Sequence, residues 1–168
     1  MAYVGHLLIV LAGIGLGLHR SHHLYGQVEF IRQTVRLLGT LGQQLAHTPC
    51  PMPQLCHRLK AMPVFSDFSL LTATVNRLAG DDFVTVFTEV VEGCYTAGQL
   101  TPTGRQLLLE FGAGCGRYDY RRQQEHIARY VRLLQDHQEE LASEVAVKGR
   151  LYRVVGASVG CALALLLL

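Results

Sequence analysis

The sequence contains no tryptophan, no Cys-x-x-Cys pair and almost no excess of charge, since its formal net charge is only +2. The low net charge argues against nucleic acid as a partner, because a clustered basic face is expected of such proteins. The odd number of cysteines, five, favours free thiols in a reducing compartment over a disulfide framework. Catalytic motifs are missing too. The sequence therefore predicts a non-enzymatic protein without a cofactor.

Hydrophobic residues make up 49% of the chain and are concentrated at its two ends. Residues 3–18 are apolar apart from His6, and the stretch 151–168 has Arg153 as its single charged residue. As helices, residues 3–18 and the uncharged residues 154–168 would be roughly 24 Å and roughly 22 Å long, slightly short of a bilayer core. We predict an N-terminal transmembrane anchor (3–18), a cytoplasmic helical bundle domain (24–150) and a C-terminal transmembrane anchor (151–168). A cleaved signal peptide is the alternative for 3–18, but no basic residue precedes it.

Both apolar ends carry two glycines four residues apart, a spacing that lets another helix approach closely in a membrane. These candidate packing residues are Gly13 and Gly17 at the first end, and Gly156 and Gly160 at the second. The basic residues next to the apolar ends all lie on the side of the middle domain: Arg20, Arg32, Arg36, Lys148, Arg150 and Arg153. The positive-inside rule therefore places the middle domain in the cytoplasm and both termini across the membrane.

The middle domain has the periodicity of helices throughout. Apolar residues recur at steps of three and four from Leu24 to Leu45, which predicts one amphipathic helix. A proline-rich stretch, 49–53, ends that helix, and a short helix follows from Pro53. Later helix boundaries are predicted at capping residues and glycines: Ser66 or Asp67, Gly80, Asp81, Gly98, Thr101 and Asp119. The fold class is therefore all-α, a small antiparallel helical bundle flanked by an N-terminal and a C-terminal transmembrane helix.

A glycine-rich stretch before Asp119 predicts a sharp corner between the last two helices. Its glycines, at positions 112, 114 and 116, are spaced GxGxG and follow a helix. A dinucleotide loop needs GxGxxG after a strand, so we expect a helix end with glycine in a left-handed conformation. The exposed residues of this corner form a candidate partner-contact tip: Arg117, Tyr118, Arg121 and Arg122. A solvated loop tip is the alternative. Further along, Glu139, Glu140 and Glu144 face Arg129, Arg132 and Lys148 along the last helix, which is the pattern of a solvated helix face.

The assembled pattern resembles the stage III sporulation protein AB family over essentially the whole chain. The most specific part of the resemblance comprises Leu108–Gly112, Gly116, Asp119 and Gln123–Ile127. Members of this family resemble the small all-α cytoplasmic F domain of type II secretion and type IV pilus platform proteins. The resemblance implies a platform or assembly subunit of a secretion-like complex that spans the envelope between mother cell and forespore.

The resemblance also implies the partners: the cell membrane, other stage III sporulation proteins including a cytoplasmic secretion-type ATPase, and further copies of the chain. The helical domain would face the mother-cell cytoplasm. The alternative function is a membrane-tethered metal or pH sensor. It would use His19, His22 and His23, which share one helical face beside the membrane. Metal content of the purified protein would separate the two functions.

Overall fold

A computed structural model describes the backbone of residues 2–48, 50–78, 82–115 and 119–166, and the side chains of residues 24–48, 50–78, 82–115, 119 and 121–147. These residues form six α-helices and no strand. The helices are α1 (Ala2–His47), α2 (Met52–Lys60), α3 (Ser69–Arg77), α4 (Phe83–Thr96), α5 (Pro102–Gly114) and α6 (Tyr120–Leu166). The prediction of an all-α fold is confirmed.

The two long helices, α1 and α6, run antiparallel along the length of the bundle. A side chain at Gly42 would come 3.2 Å from Ile127 Cγ2, and Val28 packs with Leu141 and Val145. Residues later in α1 therefore lie beside residues earlier in α6. Because α1 begins and α6 ends at the same end of this pair, both chain termini extend from one end of the bundle.

The predicted anchors fall where no side chain is described. Within the part of the chain whose side chains are described, no helix is long and apolar enough to span a bilayer. The segments 3–18 and 151–168, with Gly13, Gly17, Gly156 and Gly160, lie outside that part. The backbone of 3–18 belongs to α1, and that of 151–166 belongs to α6.

The core is formed by all six helices and is rich in leucine and phenylalanine. The predicted stripe of α1 is buried at Val28, Ile31, Leu38, Leu41 and Leu45. The side chains with the least exposure come from all six helices and the α4–α5 turn: Ile31, Leu38, Leu55, Leu59, Leu70, Leu71, Val91, Leu100, Leu108, Phe111, Ile127 and Leu134. Short helices α2 to α5 thus cover one end of the long α1–α6 pair.

The boundary between α4 and α5 follows the sequence signals closely. Gly98 has a φ of 76°, a left-handed conformation that glycine adopts without a steric cost. Thr101 precedes α5, and its side-chain oxygen accepts a hydrogen bond of 3.0 Å from the backbone N–H of Gly104. Pro102 occupies the first position of the helix, where its missing N–H is not needed.

The predicted caps of α3 and α4 are wrong or fall outside the described residues. α3 begins at Ser69 after Phe68, and neither Ser66 nor Asp67 caps it. The hydroxyl of Ser66 instead donates to the carbonyl of Pro63 at 3.1 Å. The entry to α3 is fixed by packing, because the Phe68 ring is buried 5.2 Å from the ring of Phe30. α4 begins after Asp82, which forms no side-chain cap, whereas Gly80 and Asp81 are not described.

α5 ends within the glycine-rich stretch, as predicted, but no described glycine of this stretch is left-handed. Gly112 and Gly114 lie inside the helix, which continues to Gly114. Among the described residues, Gly98 is the glycine with a positive φ. Gly116 lies outside the described residues. Glycine at these two helical positions is therefore explained by something else, namely the close approach of neighbouring side chains.

Candidate partner-binding surface

The end of α5 packs so closely on α4 and α6 that its glycines leave no room for a side chain. A Cβ on Gly112 would lie 2.6 Å from Cδ1 of Phe87. A Cβ on Gly114 would overlap the ring of His126. Real Cβ atoms do not approach other heavy atoms this closely, and protein interiors are packed without slack. Both glycines are therefore required by contacts between helices.

His126 joins the two helices at this corner. Its ring stacks on Phe111, with centroids 5.6 Å apart and an interplanar angle of 16°. Its Nε2 lies 3.0 Å from the carbonyl oxygen of Phe111. A carbonyl only accepts hydrogen bonds, so Nε2 must carry the proton and donate. Next to it, the hydroxyl of Tyr130 donates to Glu110 at 3.3 Å.

The thiols near the corner are buried and protonated. Burial raises the pKa of Cys115 to about 12, and burial also raises the pKa of Cys56 to about 12. Cys115 donates its S–H to the carbonyl of Phe111 at 3.3 Å. A thiol with so high a pKa is a poor nucleophile at neutral pH. The described cysteines, 50, 56, 94 and 115, are all free, as predicted.

The sequence pattern that predicted the family thus forms the inside of the corner. Phe111, Gly112, Ile127 and the side chain of Gln123, which is 6% exposed, are all buried. Such positions are explained by packing. Only the outward-pointing residues of the same stretch are accessible at the surface.

Two of the four predicted tip residues are described, and both are exposed. Arg121 and Arg122 lie in the first turn of α6. Arg122 Nε is 3.9 Å from Asp119 Oδ1, and both side chains are more than 70% exposed, so this ion pair is weak. Arg117 and Tyr118 lie outside the described residues. The structure therefore brings part of the predicted tip to the surface but does not test its binding.

The outer face of α6 carries its charges in two separate blocks. Apart from the exposed Glu125, basic residues come first and acidic residues follow: Arg121, Arg122, Arg129 and Arg132, then Asp136, Glu139, Glu140 and Glu144, all exposed. Their exposure fits the predicted solvated face. Among the described residues, Arg129 and Arg132 form no ion pair. Arg129 instead lies over the ring of Tyr130, 6.0 Å from its centroid.

One pair of charged residues links α5 to α4 within the fold. Arg105 makes a bidentate ion pair with Glu92 between α5 and α4, with Nε 2.8 Å from Oε2. Hydrogen bonding to Arg105 lowers the pKa of Glu92. The guanidinium of Arg105 also lies 5.2 Å from the ring centroid of Tyr95. These groups hold the α4–α5 hairpin together and offer no free charge to a partner.

His47, Cys56 and His57 lie close together in the sequence but are not assembled into a metal site. His47 and His57 are exposed whereas Cys56 is buried. Over the described part of the chain, no three His, Cys, Asp or Glu side chains are grouped so that they could hold a metal ion. His19, His22 and His23 lie outside the described side chains, so the sensor alternative stays a prediction.

The fold and surface define a small all-α bundle domain built on two long antiparallel helices. A family model for stage III sporulation protein AB matches residues 2–168, so the chain belongs to that family. Among solved structures, the chain resembles stage III sporulation protein AB (SpoIIIAB), with 20% sequence identity and a TM-score of 0.60. That match covers 72% of this chain and 97% of the other. A comparison with curated proteins found no match. Family membership supports a role as a subunit of a sporulation complex.

Proposed function

We propose that this protein is a non-enzymatic, membrane-anchored platform or assembly subunit of a secretion-like complex that links mother cell and forespore. The antiparallel pairing of α1 and α6 supports this proposal most directly. Both helices extend from the same end of the bundle, and both lead into the apolar stretches 3–18 and 151–168. Two anchors entering one membrane side by side would hold the bundle against the mother-cell membrane.

The charge distribution supports a cytoplasmic position for the bundle. Basic residues flank the apolar ends on the bundle side, at Arg20 and at Lys148, Arg150 and Arg153, as cytoplasmic segments do. Under this topology the corner between α5 and α6 points away from the membrane. Arg121 and Arg122 would then meet a cytoplasmic protein, such as a secretion-type ATPase. The glycine pairs Gly13/Gly17 and Gly156/Gly160 would allow close helix packing in the bilayer, within one copy or between copies.

A fusion experiment tests the anchoring. Alkaline phosphatase, which needs an oxidising compartment, is fused after Leu168, and a matched fusion is made within the bundle after Gly98. We expect activity only from the fusion after Leu168, together with retention of the full chain in membranes after carbonate washing. Activity of the fusion at Gly98, or release of the chain by carbonate, would reject the proposed anchoring.

A second experiment tests the role. Deletion of the gene in its spore-forming host should block spore formation after engulfment, and the full chain should restore it. The full chain extracted from sporulating membranes should co-purify with other stage III sporulation proteins. Normal spore yield after deletion would contradict the proposal.

A further inference from the structure

We propose that the basic half of the outer α6 face binds an acidic surface of another protein, which approaches the bundle from its side. We call this half the arginine strip and define it as Arg121, Arg122, Arg129 and Arg132. The proposal rests on the proposed function for the position of the strip relative to the membrane. The proposed surface adds Arg129 and Arg132 to the two described residues of the predicted tip, and the proposal specifies an acidic partner.

The arginine strip runs along one face of one helix and encloses a single exposed acidic residue, Glu125. Its four side chains are exposed, whereas Gln123, Ile127 and Leu134, on the opposite face, are buried. From the first to the last arginine the strip is about 17 Å long, since a helix rises about 1.5 Å per residue. A strip of this length offers a partner a side face of the bundle as well as its end.

The strip is electrostatically unfavourable for the fold itself. Arg121 and Arg122 lie in the first turn of α6, which contains no acidic residue, and positive charge is disfavoured at a helix N-terminus. The nearby acids are Asp119, 3.9 Å from Arg122, and the exposed Glu125 and Asp136, each four residues from an arginine of the strip. Arg121, Arg129 and Arg132 form no ion pair among the described residues. Within the fold, the strip is stabilised only weakly, by the exposed Arg122–Asp119 pair and by the contact of Arg129 with the Tyr130 ring, whereas an acidic partner would neutralise it.

The type of basic residue points to carboxylates. All basic residues of α6 before Lys148 are arginines, apart from its histidines. A guanidinium presents a rigid planar fork that binds a carboxylate through two parallel hydrogen bonds, which a lysine ammonium does not. Four such forks on one face match a protein surface that carries aspartate and glutamate side chains.

The remaining features of α6 limit which kind of molecule could bind the arginine strip. The acidic block that follows the strip, Asp136, Glu139 and Glu140, repels a polyanion lying along α6, which disfavours nucleic acid. Arg132 is about 29 Å from residue 151 along the helix, well beyond the Debye length from the membrane surface. Two copies anchored in the same membrane would set arginine against arginine across α6. The candidate that remains as the binding partner of the strip is an acidic face of a different protein.

Site-specific photocrosslinking of the full chain in sporulating cells tests the proposal. The crosslinking amino acid replaces the exposed Ala128, which lies within the strip, and the exposed Ala46 of α1 as a control position. Crosslinked peptides are identified by mass spectrometry. We expect Ala128 to crosslink to a protein segment rich in aspartate and glutamate, at least five-fold more than Ala46 does.

Charge variants then test the contact. R129E together with R132E should lower the Ala128 crosslink at least five-fold, and reversing the acidic residues of the crosslinked partner should restore it. R36E is the matched control, because Arg36 is exposed on α1 at a similar height in the bundle and forms no ion pair among the described residues. Circular dichroism of each purified variant must match the parent chain.

Each outcome is decisive. Crosslinks to nucleic acid, to a second copy of the chain or to a segment without acidic residues would overturn the proposal. An equal loss of the crosslink in R36E would also overturn it. A charge-dependent crosslink to an acidic protein unrelated to sporulation would uphold the strip and refute the proposed function.

Discussion

The two ends of the α1–α6 pair are packed very differently. Around Gly42 and Ile127, the pair is covered by the short helices, and the main core extends across the bundle. Towards the chain termini, the described core shrinks to Val28, Leu141 and Val145, flanked by the partly buried Leu24 and Ala142. One end is a domain core, whereas the other is a contact between two helices.

This difference in packing indicates that the two ends of the pair have different roles. The well-packed end joins the last turn of α5 to the start of α6 through the contact between Phe111 and His126, and Arg121 and Arg122 extend from this packed part of α6. The end of the pair nearer the chain termini, which we call the thin end, buries little apolar surface. Its packing therefore contributes correspondingly little free energy to folding. Its helix pairing would depend on the continuation of both helices into the predicted anchors. Local opening should therefore begin at the thin end.

Truncation of Phe111 should break the well-packed end most severely. The ring of Phe111 is fully buried, and it contacts Phe87, His126 and Tyr130. Phe111→Ala should lower the free energy of unfolding by about 3 to 5 kcal/mol, the range for buried phenylalanines. Thermal melting followed by circular dichroism measures the loss. Tyr25→Ala, at a side chain that is 50% exposed, should change stability little.

Truncation of Leu141 should affect the thin end alone. Leu141 is 8% exposed and lies at the edge of a small cluster, so solvent and neighbours can fill part of the cavity. Leu141→Ala should cost about 2 to 3 kcal/mol, near the low end for buried leucines. Hydrogen exchange should accelerate in residues 24–28 and 141–147. Equal acceleration at the corner would show that the two ends open together.

Sequence patterns predicted the parts of this fold that depend on local chemistry. The stripe of α1, the N-cap at Thr101 and the left-handed Gly98 all follow from the residue and its immediate neighbours. The start of α3 did not, because it is fixed by a ring contact between Phe68 and Phe30, far apart in the chain. Local capping signals at Ser66 and Asp67 were outweighed by tertiary packing.

The candidate surface was predictable only in part, for a related physical reason. Glycine serves both to end helices and to let side chains approach closely, and the sequence does not tell these uses apart. Only the position of Phe87 and His126 shows that Gly112 and Gly114 have the second use. Similarly, the charges of α6 have spacings that allow pairing, but the separation of its arginines from its glutamates becomes clear only once their exposure is known.

Two glycine substitutions would sharpen this distinction. Gly112→Ala should destabilise the fold by about 1 to 2 kcal/mol, because the new Cβ meets the Phe87 ring at 2.6 Å and overpacking strains the core. Gly93→Ala is the matched control within α4, since a Cβ there meets no atom within 4 Å. It should stabilise the helix by about 0.5 to 1 kcal/mol. Destabilisation by both substitutions would mean that close approach is not the reason for Gly112.

The smallest predicted effect concerns a histidine near the thin end. His137 Nε2 lies 2.7 Å from the hydroxyl of Thr101, and its Nδ1 is buried without a hydrogen-bond partner. Burial lowers the pKa of His137, although Glu140 and Glu144 act in the opposite direction. The unfolded chain therefore binds a proton more readily than the folded chain, so stability falls as the pH drops through the unfolded pKa of about 6.5.

The effect should be below about 1 kcal/mol between pH 7.5 and 5.5, because the ring is only partly buried and solvent screens its charge. Urea unfolding at both pH values measures it. His137→Gln keeps a hydrogen-bonding side chain beside Thr101 but cannot be protonated, so the variant should lose less stability on acidification than the parent chain. An equal loss of stability on acidification in both proteins would assign the pH dependence to other groups. The protonation of His137 would then not affect the stability of the thin end.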